Sequence, residues 1–317
     1  MRAVRIGAPG TAELVDAPAP RTEGDDVTVR VRWAAVCATD RKLVRRGVAQ
    51  PRIPGHEFAG ERADGTVVAV NPDIGCGTCW RCGNGWFNRC ARRRSIGIDR
   101  DGGFAERVAV PPGQVVPLGG LPVHQGPLIE PLACCVHAIG MLPIGQLRTV
   151  AVVGAGAMGI LAMWTLQAYG LQVVVAQRSA ARRHLAAELG ADVVVAPDDE
   201  VGPSLDAVVV TAPGAEPLRW ALERVEVGGT VHAFAGTPGG AQVDANAVHY
   251  RHLTLLGSTG STVADMRGAI VLARSGGVDL DRLPRTTVAL ADLPAVLTGE
   301  PDGRHLRTLV DIGGSAS

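Results

Sequence analysis

The chain has 317 residues, 46% of them hydrophobic, which is enough for more than one buried core and predicts two domains. Its 31 basic and 31 acidic residues balance, which excludes a chain-wide field for nucleic acid or a membrane surface. "MRAVRIGAPG" lacks a charged start leading into an apolar core, and no uncharged apolar run of about 18 residues occurs, so neither an export signal nor a membrane span is expected. With seven cysteines, an odd number, this points to a reducing cytoplasm, where clustered cysteines are more often metal ligands than disulfides.

In chain order, the first part reads as β-rich. "DDVTVRVRWAAV" (25–36) alternates and then turns continuously apolar, as a strand entering a core does. "AAVCATD" follows with Cys37, Thr39 and Asp40, and "PRIPGHEFAGE" carries His56 and Glu57. "TVVAVNP" (66–72) and "FAERVAVPP" (104–112) are further strands, punctuated by Gly and Pro. Between them "CGTCWRCGNGWFNRC" places Cys76, Cys79, Cys82 and Cys90 in a C-x2-C-x2-C-x7-C pattern. Four thiolates at such spacing can close a tetrahedral Zn²⁺ shell with no open position, the mark of a structural site. An iron–sulfur cluster and disulfides are the weaker alternatives. Arg92-Arg93-Arg94 reads as a solvated face beside this lobe.

The texture changes near Glu130, in "PLIEPLACCVHA". "RTVAVVGAGAMGILAMWTLQAYG" (148–170) is a buried strand, a glycine turn and an apolar helix, and "LQVVVAQ" (171–177) is a second strand. "SAARRHLAAELGA" (179–191) is an amphipathic helix; "DVVV", "LDAVVVTA", "GGTVHAFAG" and "LTLLGS" are further short apolar strands. Repeated β-α-β with continuous apolar strands predicts a parallel sheet covered on both faces. "DMRGAIVLARSGG" (265–277) reads as a helix, and the tail returns to strands such as "HLRTLVDIG".

The turn places Gly154, Gly156, Ala157, Met158 and Gly159 in G-x-G-x-x-G, after a strand and at the start of a helix. The glycines allow the tight turn, the approach of a pyrophosphate and close helix–strand packing, and the helix N-terminus favours the anion. At the end of the next strand, where a carboxylate would bond the ribose 2′-OH of NAD, stand Gln177 and Arg178. A guanidinium pairs with a 2′-phosphate, so NADP is expected over NAD, with Ser179 and either Arg182 or Arg183 as further contacts. Cys37, His56 and one or both of Glu57 and Glu130 could form an open zinc site. Singly, each also fits a plainer role: a core cysteine, a turn pair, a boundary charge.

The order C-x-T-D, G-H-E, four-cysteine lobe, E-P-L-x3-V-H and G-x-G-x-x-G resembles the zinc-dependent medium-chain dehydrogenase/reductase family over nearly the whole chain. "HYRHLTLLGSTGSTVADMRGAIVLARSGGVDL" is similar to its sorbitol and threonine dehydrogenase branch, which includes enzymes of cyclitols and aminocyclitols. The resemblance implies an α/β architecture: a GroES-like catalytic domain (1–130), a Rossmann doubly wound domain (131–257) and a return to the first domain (258–317). It implies two zinc ions per chain, one structural and one catalytic, with zinc and nicotinamide meeting between the domains. Cys37, His56 and Glu57 or Glu130 would be the catalytic ligands, with Glu57 preferred. Asp40 would orient the histidine and Thr39 would bond the substrate oxygen and start a proton relay.

Two departures stand out. Lys42, the chain's only lysine, replaces the histidine three positions after the relay hydroxyl, and the stretch between "GHEFAGER" and "GTVVAVNP" is abbreviated. The implied activity is secondary alcohol–ketone interconversion on a polyol, cyclitol or aminocyclitol. The alternatives are a threonine-type amino-alcohol dehydrogenase and a non-catalytic zinc- and nucleotide-binding redox sensor. Relatives imply a homodimer or homotetramer, with no nucleic-acid or membrane partner.

Overall fold

The computed structural model describes residues 1–301, 303 and 305–314, which fall into two compact units. One comprises Met1–Ala133, Ser261–Val271 and the chain from Leu283 onward; the other comprises Cys134–Gly260 and Leu272–Arg282.

The first unit is organised by a seven-stranded sheet. Its strands run in the order Arg285–Ala289, Arg307–Asp311, Val27–Val36, Glu57–Glu61, Val67–Val70 and Val115–Pro117, with Arg107–Val110 also paired to Val27–Val36. Val27–Val36 is the spine: it alternates at its start and is buried throughout its last three residues, as its sequence pattern demands. Val29, Val31, Phe58, Val68, Phe104 and Val310 pack into one apolar cluster. Full burial of a side chain the size of Phe58 contributes about 1.5–3 kcal/mol. The abbreviated stretch 62–66 is a tight hairpin. The Gly65 N–H donates to the Arg62 carbonyl at 3.0 Å, and Gly65 takes a φ of +80°.

The sequence reading of this region as β-rich omits a short helix, Trp80–Gly83, and a longer one, Ala38–Arg46. Its start signal lies in the residues read as ligands. Cys37 is the N-cap, and the Asp40 carboxylate three residues on accepts the Cys37 N–H at 2.8 Å. Asp40 in the first turn and Arg45 and Arg46 in the last complement the helix dipole.

The second unit holds six parallel strands in the order Val193–Val195, Gln172–Ala176, Thr149–Val153, Leu205–Val210, Val225–Ala233 and Thr254–Gly257. The earliest strand, Thr149–Val153, is central and buried at every position. The strand order reverses beside it, which creates a crevice at the carboxyl ends of the strands. The helices Ala157–Ala168 and Ala180–Glu188 follow the first two strands, and Gly190 ends the second helix at φ +100°. Among the described residues no helix is long and apolar enough to cross a membrane.

Candidate active site

The four clustered cysteines converge in the first unit. Their sulfurs lie 3.5 Å (Cys79–Cys82), 3.8 Å (Cys79–Cys90) and 4.0 Å (Cys76–Cys82) apart. Zn–S bonds of about 2.3 Å in a tetrahedron place neighbouring sulfurs about 3.8 Å apart, so the residues fit that ion with no position left over. None of the seven cysteines is in a disulfide.

A second group forms where three strands meet, and sheet register explains how. Thr308 pairs with Val36, and Glu57 pairs with Ala35. Cys37 immediately follows Val36, so Cys37, Glu57 and Arg307 are brought to one place from three distant parts of the chain. The ligand atoms of Cys37, His56 and Glu57 all lie within 4.8 Å of one another. His56 directs Nδ1 at Asp40 Oδ1, 3.4 Å away, which leaves Nε2 turned to Glu57 Oε1 at 4.0 Å. Asp40 is fully buried and is itself held by the N–H groups of Cys37 and Gly55, at 2.8 and 3.3 Å. A carboxylate behind an imidazole fixes the ring and raises its basicity as a ligand.

Electrostatics tighten the group. Burial pushes the Cys37 thiol up, but the charges of His56 and Arg307 outweigh it and bring it down to about 5. Burial disfavours charge on His56, yet Asp40 and Cys37 raise its pKa well above the ordinary histidine value. Glu57 is raised well above the carboxylate range by burial, against the opposing pull of Arg307. Glu57 Oε2 is buried with no hydrogen-bond partner. A buried carboxylate oxygen left unpaired beside a thiolate and an imidazole is what a cation would satisfy. The residues present fit zinc. Glu130 is buried in the first turn of the helix Ile129–Ile139 but does not join the compact group; its charge is felt by Glu57 and by Arg307. Thr39 is half-buried, and Lys42, one helical turn beyond it, is exposed.

The glycine turn of the second unit is shaped for a dinucleotide. Gly154 takes a φ of +111°, and a Cβ on Gly159 would lie 1.8 Å from the Gly154 carbonyl oxygen. A Cβ on Gly156 would instead meet open space, where a ligand can approach the backbone. Gly156 caps the helix that starts with Ala157 and Met158. Nearby is a cavity of about 990 Å³, lined by Gly154, Gln177, Arg178 and Arg183 and by parts of 196–198 and 212–224. Ser179 is the N-cap of Ala180–Glu188, and Arg183 bonds the carbonyls of Gln177 and Arg178.

Residues 23–120 match the alcohol dehydrogenase GroES-like domain, and residues 157–275 match the zinc-binding dehydrogenase model. The D-altritol 5-dehydrogenase of Agrobacterium fabrum is 30% identical, over 95% of this chain and 96% of its own. The chain belongs to the zinc-containing medium-chain dehydrogenase/reductase family. The L-threonine 3-dehydrogenase of Pyrococcus horikoshii is 29% identical over 85% of this chain and 86% of its own, which puts the chain in the threonine- and polyol-dehydrogenase branch of that family. A Sinorhizobium meliloti protein described as a zinc-binding dehydrogenase, solved with NADP bound, has a TM-score of 0.91 and 30% identity, covering 98% of this chain and 99% of its own. This medium-chain dehydrogenase is therefore a zinc-dependent oxidoreductase of CH–OH groups that uses NAD(P).

One site residue escaped the sequence reading. Arg307 is buried, and its Nη1 lies 3.0 Å from Glu57 Oε1 and donates to the Val36 carbonyl at 3.3 Å. Burial works against its charge, but Glu57 and Cys37 push its pKa up. The only signal in the sequence is a single Arg at the start of the apolar run "TLV", where a buried strand is expected.

Proposed function

We propose that the enzyme catalyses NADP-linked interconversion of a secondary alcohol and a ketone on a polyol, cyclitol or aminocyclitol. The observation that carries the reaction is the Cys37–His56–Glu57 group, with His56 and Glu57 buried and a Glu57 oxygen unpaired. Zinc held there supplies Lewis acidity toward the substrate oxygen, and the nicotinamide supplies or accepts the hydride. Cys37 and His56 are ligands, and Glu57 completes the set in preference to Glu130, because its oxygen stands within the compact group. Asp40 keeps His56 Nε2 directed at the metal position. Thr39, two residues after the thiolate ligand, bonds the substrate oxygen and relays its proton, releasing its own hydroxyl proton toward solvent as it accepts the substrate's. Lys42 follows on the same helical face and is exposed.

Arg178 supports NADP over NAD: it is exposed, lines the cavity at the second strand's end, and has no acidic neighbour in the 177–183 turn. The NADP-bound relative at 30% identity supports the same preference. Relatives acting on D-altritol and on L-threonine support a small hydroxylated substrate. The strand Thr254–Gly257 leaves one sheet edge open, with Leu255 40% exposed, which supports pairing with a second copy as a homodimer or homotetramer.

The test is kcat/KM with NADP and NAD, in wild type and Arg178→Ala, across a panel of polyols, inositols and aminocyclitols. Loss of a charge-assisted bond to phosphate costs about 1.5–3 kcal/mol, and exposure places Arg178 at the low end, so the NADP preference should fall about ten-fold. No turnover of any panel member, or no NADP preference in the wild type, refutes the corresponding part of the proposal.

A further inference from the structure

The turn that carries Arg178 is braced by its neighbours. Gln177 Oε1 accepts the Ser179 N–H at 3.2 Å, so this side chain is folded back on its own turn. Ser179 Oγ accepts the Arg182 N–H at 3.4 Å and caps the helix Ala180–Glu188. Arg183 reaches back from the first turn of that helix. Its Nη1 donates to the Gln177 carbonyl at 2.8 Å and to the Arg178 carbonyl at 2.6 Å. Three side chains on either side of Arg178 thus commit polar atoms to the backbone around it. Arg178 is exposed, makes no ion pair among the described residues, and lines the same cavity as Arg183.

These bonds change what Arg183 can do. As a second phosphate ligand it has only Nε and Nη2 to offer, because Nη1 already holds two consecutive carbonyls and ties the guanidinium to the turn. A guanidinium on those carbonyls fixes the peptide plane from which the Arg178 side chain departs. An exposed arginine carries much rotamer freedom, and a fixed departure point lowers the share lost when it meets a ligand. We infer that Arg183 is a positioning residue for cofactor selectivity, acting on the 2′-phosphate through Arg178 and not as an independent ligand. This rests on the NADP reading above. Gln177 and Ser179 belong to the same brace, which gives Gln177 a role other than a failed substitute for the acidic residue that NAD would require.

The test is calorimetric binding of adenosine 2′,5′-bisphosphate and of 5′-AMP to the zinc-loaded enzyme. The ratio of the two affinities isolates the 2′-phosphate, and the AMP affinity reports whether the crevice is intact. The wild type should bind the bisphosphate at least about ten-fold more tightly, the size of one charge-assisted contact. Arg178→Ala should abolish that ratio, and Arg183→Met should lower it several-fold with AMP affinity unchanged. The double variant should show no lower ratio than Arg178→Ala alone, because Arg183 has nothing left to position. Ser179→Ala, which removes the cap from the same turn, should lower the ratio in the same way and be equally silent once Arg178 is gone. Independent losses that multiply in the double variant would make Arg183 a direct ligand and overturn the inference. So would an unchanged ratio in Arg183→Met. A wild type that does not prefer the bisphosphate would instead fail the NADP reading, a different and separately visible result.

Discussion

The ion pair between Arg307 and Glu57 should be the most sensitive structural element around the catalytic group. Both side chains are nearly inaccessible, at 5% and 1%, and their charged atoms stand 3.0 Å apart. In Arg307→Met the carboxylate remains buried beside Cys37 and within reach of the Glu130 charge, with its main counter-charge removed. Breaking one side of such a pair costs about 3–5 kcal/mol, because the remaining charge is desolvated and uncompensated. For a unit of this size each kcal/mol lowers Tm by about 2–4 °C, so a fall of roughly 6–20 °C is expected. Removing both charges in Arg307→Met/Glu57→Gln should restore part of that loss. The cost of Arg307→Met should also shrink when zinc is saturating, because the metal then shares the Glu57 charge, and grow after chelation. The assay is thermal and urea unfolding of the four proteins of the cycle, with zinc and with chelator. If Arg307→Met stays within about 1 kcal/mol of wild type, or if the two substitutions simply add, the pairing does not hold Glu57 in place and this reasoning fails.

Other perturbations probe separate parts of the molecule. Gly159→Ala forces a methyl to 1.8 Å from the Gly154 carbonyl oxygen, so the helix must move; about 1–3 kcal/mol of stability and most NAD(P)H affinity should be lost, read by unfolding and by fluorescence titration. Cys90→Ala opens the four-thiolate shell, and should release one zinc and lower stability or assembly before it slows hydride transfer; a stable, fully assembled variant without turnover would contradict the division between the two metal sites. His232 is fully buried on the strand Val225–Ala233, and burial first, then the neighbouring His137 charge, bring its pKa down to about 4. Its folded pKa lies below the ordinary value, so the stability of the neutral ring is present above about pH 6.5 and is lost as pH falls toward 4. At pH 5 the loss is at most about 2 kcal/mol, and His232→Leu should show a flatter fall in Tm between pH 7 and pH 5; equal slopes in the two proteins would sink this account.

What could be read from the sequence follows the range of the interactions involved. The four-cysteine lobe and G-x-G-x-x-G are local, so spacing alone places Cys76, Cys79, Cys82 and Cys90 around one point and Gly154, Gly156 and Gly159 in one turn. Cys37 and the His56–Glu57 pair are 19 residues apart, and their meeting depends on the antiparallel register that sets Glu57 opposite Ala35. Their residue types suggest a metal, but the geometry comes only with the sheet. Arg307 depends on a register formed 272 residues later in the chain, Thr308 opposite Val36, and no local pattern marks it. The helix Ala38–Arg46 was hidden for a different reason. Its cap residues also serve the compact group, Cys37 as a member and Asp40 as the carboxylate beside His56, and the ligand reading masked the helix start. Arg183 shows the same limit: sequence offers a charge near Arg178, whereas the structure shows that charge bonded to backbone.

Cys37, His56 and Glu57 should hold a working zinc ion distinct from the one in the cysteine lobe. Elemental analysis of purified wild type and Cys37→Ala, with NAD(P)H turnover measured on the same samples, addresses it most directly. Two zinc ions per chain falling to one, with the fold intact and turnover abolished, is the predicted result. One zinc in both proteins, or a Cys37→Ala enzyme that still turns over, would contradict it.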